Sequence, residues 1–155
     1  MPVARTLVGC LVVAVALVGL MLLVRPAIFS LAPPRDDSHV IVGTTTALAA
    51  GPRVVDVALA RSYGLDGERP LGAGRVQVAL VVASTLTGGF SVVNATSPIS
   101  DDCAIEIAED RLSDCAGRSW TFDGSPIDPG LPPLQRFEVS VDDGSVGADL
   151  ARPID

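Results

Sequence analysis

Along this chain the rhythm of apolar positions changes once, from continuous to alternating. Between Thr6 and Val24 nineteen residues, TLVGCLVVAVALVGLMLLV, carry no charge. At about 1.5 Å per residue they would span roughly 28 Å, close to the thickness of a bilayer's hydrocarbon layer, so residues 1–25 read as one transmembrane helix. The run ends in Leu23, Val24, Arg25 and Pro26 without small residues at an Ala-x-Ala spacing, which favours an uncleaved signal anchor over a removed signal peptide. Leu7-Val8-Gly9-Cys10 has the letters of a lipobox, but the apolar stretch follows Cys10 instead of preceding it, so the match reads as coincidence. Gly9, Ala14, Ala16 and Gly19 would allow close approach of a neighbouring helix. Residues 26–38, with Pro33-Pro34 and Asp36-Asp37, read as an extended spacer.

From His39 to the end the period is two. HVIVG at 39–43, RVVDVALA at 53–60, RVQVALVVA at 75–83 and FSVVNA at 90–95 are predicted strands, separated by glycine-punctuated gaps too short for a crossover helix. The sheet is therefore expected to be antiparallel. Further strands are predicted at 104–107, 119–122, 136–141 and 146–150, with Asp143-Gly144 as a hairpin turn between the last two. The stretch DGSPIDPGLPP at 123–133 holds too many Pro and Gly for a helix or central strand and is expected to form an ordered loop or coil. The expectation is one all-β, antiparallel domain over residues 39–155.

Composition sharpens the picture in two respects. Beyond Arg25 the chain has 18 acids against nine Arg, a net charge of −9, which argues against nucleic acid or anionic lipid as a partner. Aromatic residues make up only 4%, so Trp120, Phe122 and Phe137 are expected in the core rather than on a binding patch. The absence of Lys fits a GC-rich coding bias. Acid pairs at Asp101-Asp102, Glu109-Asp110 and Asp142-Asp143 follow no calcium-loop spacing and read mostly as turn residues. Ser119 and Ser125 lack a neighbouring His, and the lone His39 lies by the spacer, so a Ser/His/Asp site has little support. Asn94-Ala95-Thr96 fits a glycosylation sequon, which the bacterial look of the composition discounts.

Cys103 and Cys115 are twelve residues apart and each flanks a predicted short strand, a spacing that a hairpin could close into a disulfide. A loop of that length would stabilise the fold by about 3 kcal/mol in the chain-entropy model. The competing reading is a metal site, for which two thiolates and one distant imidazole make a poor first shell. A disulfide places the domain outside the cytoplasm, with the amino terminus inside.

The stretch from Gly88 to Asp149 resembles a Rieske iron-sulfur domain of the cytochrome bc type. Where the family has its first cluster loop, Cys-x-His-x-Gly-Cys, this chain has Ser97-Pro98-Ile99-Ser100-Asp101-Asp102-Cys103, in which the final Cys matches and the ligands do not. Where the family has its second loop, Cys-Pro-Cys-His-Gly-Ser-x-Phe-Asp, this chain has Cys115-Ala116-Gly117-Arg118-Ser119-Trp120-Thr121-Phe122-Asp123, with the Phe-Asp end intact and Arg118 in place of the His. A Pro loop at 130–134, a strand at 137–139 and the turn at 143–146 follow in the family's order. A Rieske cluster needs two Cys thiolates and two His. Ser97 and Ile99 stand where the first Cys and His would be, and Arg118 where the second His would be. What could survive is the family's disulfide between the two loops, with Cys103 matching its first partner; Cys115 aligns with a ligand Cys, or with the second partner after a two-residue shift.

The resemblance thus implies a Rieske-like sandwich or barrel that has lost its ligands and carries no cofactor. A 2Fe–2S cluster would require Cys103 and Cys115 to be ligands after all. The function it implies is a non-catalytic, membrane-anchored accessory subunit beside other integral membrane subunits of a respiratory complex, at most an electron-transfer subunit. Two alternatives stay open: a dithiol redox protein using Cys103 and Cys115, against which the neighbouring Asp102 and Asp114 would push the thiol pKa up, and a free-standing envelope protein binding through the 123–133 loop.

Overall fold

A computed structural model describes residues 38–154 of the chain. The expected anchor and spacer lie outside them, and among the described residues no helix is long and apolar enough to cross a membrane.

The alternating runs form the expected strands. In chain order they are β1 (His39–Thr44), β2 (Arg53–Leu59), β3 (Arg69–Gly72), β4 (Arg75–Ser84), β5 (Phe90–Asn94), β6 (Thr96–Ser97), β7 (Ser100–Ile107), β8 (Leu112–Asp114), β9 (Ser119–Trp120), β10 (Arg136–Asp142) and β11 (Ser145–Ile154). One short helix, α1 (Thr45–Ala49), is capped by the Thr44 hydroxyl, which accepts from Ala47 N at 3.3 Å, and seats Leu48 in the core. Every pairing is antiparallel. The large sheet runs β1-β11-β10-β5-β4-β2 with β3 added beside β4, and it curls until β1 and β2, at its two ends, come into contact. A smaller sheet runs β6-β7-β8-β9.

Two apolar clusters explain the layout. The larger holds Val42, Leu48, Leu59, Val78, Leu80, Val82, Val92, Phe137, Val146, Ala148 and Leu150. The smaller, under the second sheet, holds Val81, Val93, Ala95, Ile105, Leu112, Trp120 and Leu134. Strand β4 sends Val78, Leu80 and Val82 to one side and Val81 to the other; β5 does the same with Val92 and Val93. These strands are buried on both faces, which is why their sequences read as nearly continuous apolar runs. The sheets are joined along the backbone where Ala95 N donates to Ala79 O and Ile105 N to Ala95 O, at 2.9 and 2.8 Å.

Several sequence expectations need adjustment. Asp101 and Asp102 are not turn residues: β7 begins at Ser100, and both acids extend from it into solvent. The expected strand at 119–122 stops at Trp120, because Thr121 N turns to bond Ser125 O. The turn at Asp143-Gly144 stands, with φ of +48° and +77°, and closes the Asp142–Ser145 pair. The 123–133 loop is ordered: Trp120 Nε1 donates to Pro132 O at 2.9 Å, Ile127 N to Ser119 O and Leu134 N to Gly124 O. Asn94 is fully buried, its amide donating to Asp66 O and Gln135 Oε1, so the sequon is a structural turn and not a carbohydrate acceptor.

At Gly67 φ is +68° and an added Cβ would stand 2.0 Å from Thr96 Oγ1, whereas Gly64, at φ +72°, faces open space. Gly67→Ala should therefore cost about 1–3 kcal/mol from overpacking in addition to roughly 1 kcal/mol of left-handed strain. Gly64→Ala should cost the strain alone. Urea unfolding followed by Trp120 fluorescence checks the difference; equal losses would mean the Gly67 turn yields without cost.

Candidate functional site

The two loops singled out by the sequence come together at the end of the small sheet. Cys103, in mid β7, and Cys115, just past β8, form a disulfide with Cα atoms 5.6 Å apart. The strand register explains it: Ile105 faces Asp114 across the β7–β8 ladder, so the residue two before the first and the residue after the second converge beyond its end. Cys103 is buried at 1% exposure while Cys115 is exposed, and Cys115 N donates to Cys103 Sγ at 2.9 Å.

Beside the disulfide lies the one fully buried carboxylate in this loop, Asp114, whose side chain has no solvent exposure. Its Oδ1 accepts from Ala116 N and Arg118 N, each at 3.0 Å. Its Oδ2 accepts from Arg118 Nε at 2.6 Å and from Ser97 Oγ at 3.0 Å. Ser97 Oγ in turn accepts from Arg118 Nη2 and Ile99 N, both at 3.4 Å. Burial pushes the Asp114 pKa up, but the bonds from the Arg118 side chain and backbone, Ser97 and Ala116 outweigh it and hold the group below its ordinary value. A buried charge is tolerable here because it is paired and every lone-pair direction is used.

All four positions that the resemblance equates with cluster ligands are thus neighbours. Ser97 and Arg118 share the Asp114 carboxylate, Cys115 is bonded to Cys103, and Ile99 projects from the β6–β7 turn, 47% exposed. His39 is not among them; it opens β1 in the large sheet, with Nε2 3.3 Å from Ser140 Oγ. Sequence reasoning missed Asp114 as the organising residue, treating it only as a charge beside a cysteine. The available signal was Asp-Cys-x-x-Arg, an acid and a base four apart around a tight turn with Gly117 at φ +76°.

Two further carboxylates lock loops in the same manner. Glu68 accepts from Ser62 Oγ, Tyr63 N and Leu65 N, and Asp123 from Thr121 Oγ1 and Ser125 N. Burial raises the Glu68 pKa, but the Ser62 hydroxyl and the Tyr63, Leu65 and Gly64 amides lower it further; the Thr121 hydroxyl is the main cause that lowers Asp123. Among the described residues no group of three or more His, Cys, Asp and Glu is placed to hold a metal ion.

The fold is therefore an all-β domain whose small sheet ends in a turn tied by a disulfide to β7. No family model and no curated protein matches the chain. Among solved structures it is similar to a chain in the complex of reduced oxygenase and oxidized ferredoxin in carbazole 1,9a-dioxygenase, at 18% identity over 76% of this chain and 97% of that one, with a TM-score of 0.48. It is also similar to a nitrite reductase (NADPH) small-subunit oxidoreductase, at 12% identity over 71% and 96% of the two chains, with a TM-score of 0.37.

Arg118→Met would strand the Asp114 carboxylate, a loss of about 3 kcal/mol for a broken buried pair. The pH dependence has a definite sign. Because the folded pKa of Asp114 is depressed below 3.8, its contribution is present above that value and is lost as pH falls through the folded pKa. The stability gap between wild type and Asp114→Asn should be constant near neutrality and narrow below about pH 4. Urea midpoints measured from pH 7 to pH 3 check this; a gap that widens in acid would show that the carboxylate is not held ionised.

Proposed function

We propose that this chain is a cluster-free, Rieske-like domain serving as a structural or docking module and not as a one-electron carrier. The observation that carries the proposal is the Ser97–Asp114–Arg118 network. Where the resemblance would require thiolate and imidazole ligands, the chain supplies a hydroxyl, an alkyl side chain, a sulfur already bonded to another sulfur, and a guanidinium bound to a buried carboxylate. That donor set does not fit a 2Fe–2S cluster, which needs two thiolates and two imidazoles. A guanidinium is a permanent cation and has no lone pair to offer iron. The polar network also fills the space between the two loops with satisfied hydrogen bonds, so the loops hold each other without a metal.

The uncharged stretch 6–24 supports a membrane anchor, and the disulfide supports an extracytoplasmic location for the domain, with other membrane subunits as the partners such a layout would serve. The net charge of −9 beyond the anchor disfavours nucleic acid.

The test is the full chain, purified from membranes in detergent and examined for visible absorption, iron, acid-labile sulfide and free thiols on one sample. A colourless protein without iron or sulfide, and with Cys103 and Cys115 unreactive, is the expected outcome. A brown protein with two irons and two sulfides per chain would overturn the proposal and make the function electron transfer.

A further inference from the structure

The two sulfurs of the Cys103–Cys115 bond live in different surroundings. Cys103 is 1% exposed in the interior of the small sheet, whereas Cys115 and its successors Ala116 and Gly117 are all exposed. Thiol–disulfide exchange requires a thiolate to reach one sulfur and the other to depart as a thiolate. Of the two cysteines only Cys115 is an exposed residue, so attack from solvent is directed to its side of the bond. The departing sulfur has a donor waiting, because Cys115 N already points at Cys103 Sγ from 2.9 Å; a hydrogen bond to the charged form favours that form. The nearest buried negative charge, Asp114, is paired with Arg118 and accepts four hydrogen bonds, so it opposes a thiolate far less than an unpaired carboxylate would.

We propose that this disulfide is a thiol-responsive clasp, opened by exchange at Cys115 with Cys103 as the leaving group. The co-reactant is an external dithiol. Its first thiolate forms a bond to Cys115 Sγ as the Cys115–Cys103 bond breaks, leaving a mixed disulfide and the Cys103 thiolate. Its second thiolate then displaces Cys115, so the dithiol is oxidised to a disulfide by two electrons while the clasp is reduced and takes up two protons. The opened clasp no longer ties the 115–118 turn to β7. That turn supplies three of the four hydrogen bonds to Asp114, from Ala116 N, Arg118 N and Arg118 Nε, so reduction is felt first by the network. The inference does not rest on the Rieske-like reading; it follows from burial and hydrogen bonding at the disulfide alone.

The experiment uses the full chain in detergent without denaturant. Exposure to a low-molecular-weight monothiol, followed by alkylation and peptide mass mapping, should place the mixed disulfide on Cys115 and the alkyl group on Cys103. Reduction by dithiothreitol should proceed within about tenfold of its rate on the urea-unfolded chain. After reduction, amide hydrogen exchange at Ala116 and Arg118 should accelerate by about tenfold or more while the β4 and β5 amides stay protected. As a check without the bond, Cys103→Ser should leave a Cys115 thiol that reacts with a disulfide reagent, and Cys115→Ser a Cys103 thiol that does not. An adduct on Cys103, reduction only on global unfolding, or unchanged exchange at Ala116 and Arg118 would each overturn the clasp.

Discussion

Strands β4 and β5 are buried on both faces, and the rest of the domain is arranged to cover them. With few aromatic residues the chain cannot fill a core by bulk, so it stacks Val, Leu and Ala from several strands against one shared wall. Each fully buried aliphatic side chain contributes about 1.5–3 kcal/mol, and a strand buried on both sides collects that at every residue instead of every second one. The curled sheet closes over one face and the small sheet, with Trp120 and Leu134, closes over the other. Sequence position on β4 therefore decides which core a residue serves: shifting its register by one would exchange the two sets.

The candidate site stands at the far end of this arrangement. None of Ser97, Ile99, Asp114, Cys115 and Arg118 belongs to either apolar cluster; only Ser97 and Asp114 are buried, and they are buried against each other. What positions them is the ladder. β6–β7 and β8–β9 present two turns at one end; the disulfide ties the second of them covalently to β7, and the carboxylate of Asp114 ties it to Ser97 by a hydrogen bond. Similar chemistry recurs at Glu68 and Asp123, where a carboxylate gathers backbone amides that a turn would otherwise leave unpaired. An acidic chain uses part of its charge as internal staples.

Much of this was legible in the sequence, and the reasons it was legible also mark where reading stopped. The runs that became β1, β2, β4, β5, β10 and β11 alternate or are continuously apolar, and period two is a strong signal. The short strands β3, β6 and β8 were not foreseen, since Arg69–Gly72, Thr96–Ser97 and Leu112–Asp114 are too brief for any periodicity and exist because neighbours offer them a partner. Asp101 and Asp102 misled because acids are common in turns, yet here they are among the solvent-exposed first residues of β7, where a side chain pointing into water costs the strand little. The disulfide followed from spacing. The Asp114–Arg118 bond did not, because an acid and a base four apart suggest a helix face, and here the chain doubles back through Gly117 to join them.

The loop over Trp120 has a consequence of another kind. Between Asp123 and Pro133 the backbone is held by the Trp120 indole, by Ser119 N on Asp128 Oδ2 and by Leu134 N on Gly124 O, and its prolines fix several φ angles. Its ordering entropy is surrendered when the domain folds, not when something touches it. The exposed Ile127 therefore presents a surface already shaped, and a molecule meeting it would lose little affinity to conformational adjustment on this side of the contact.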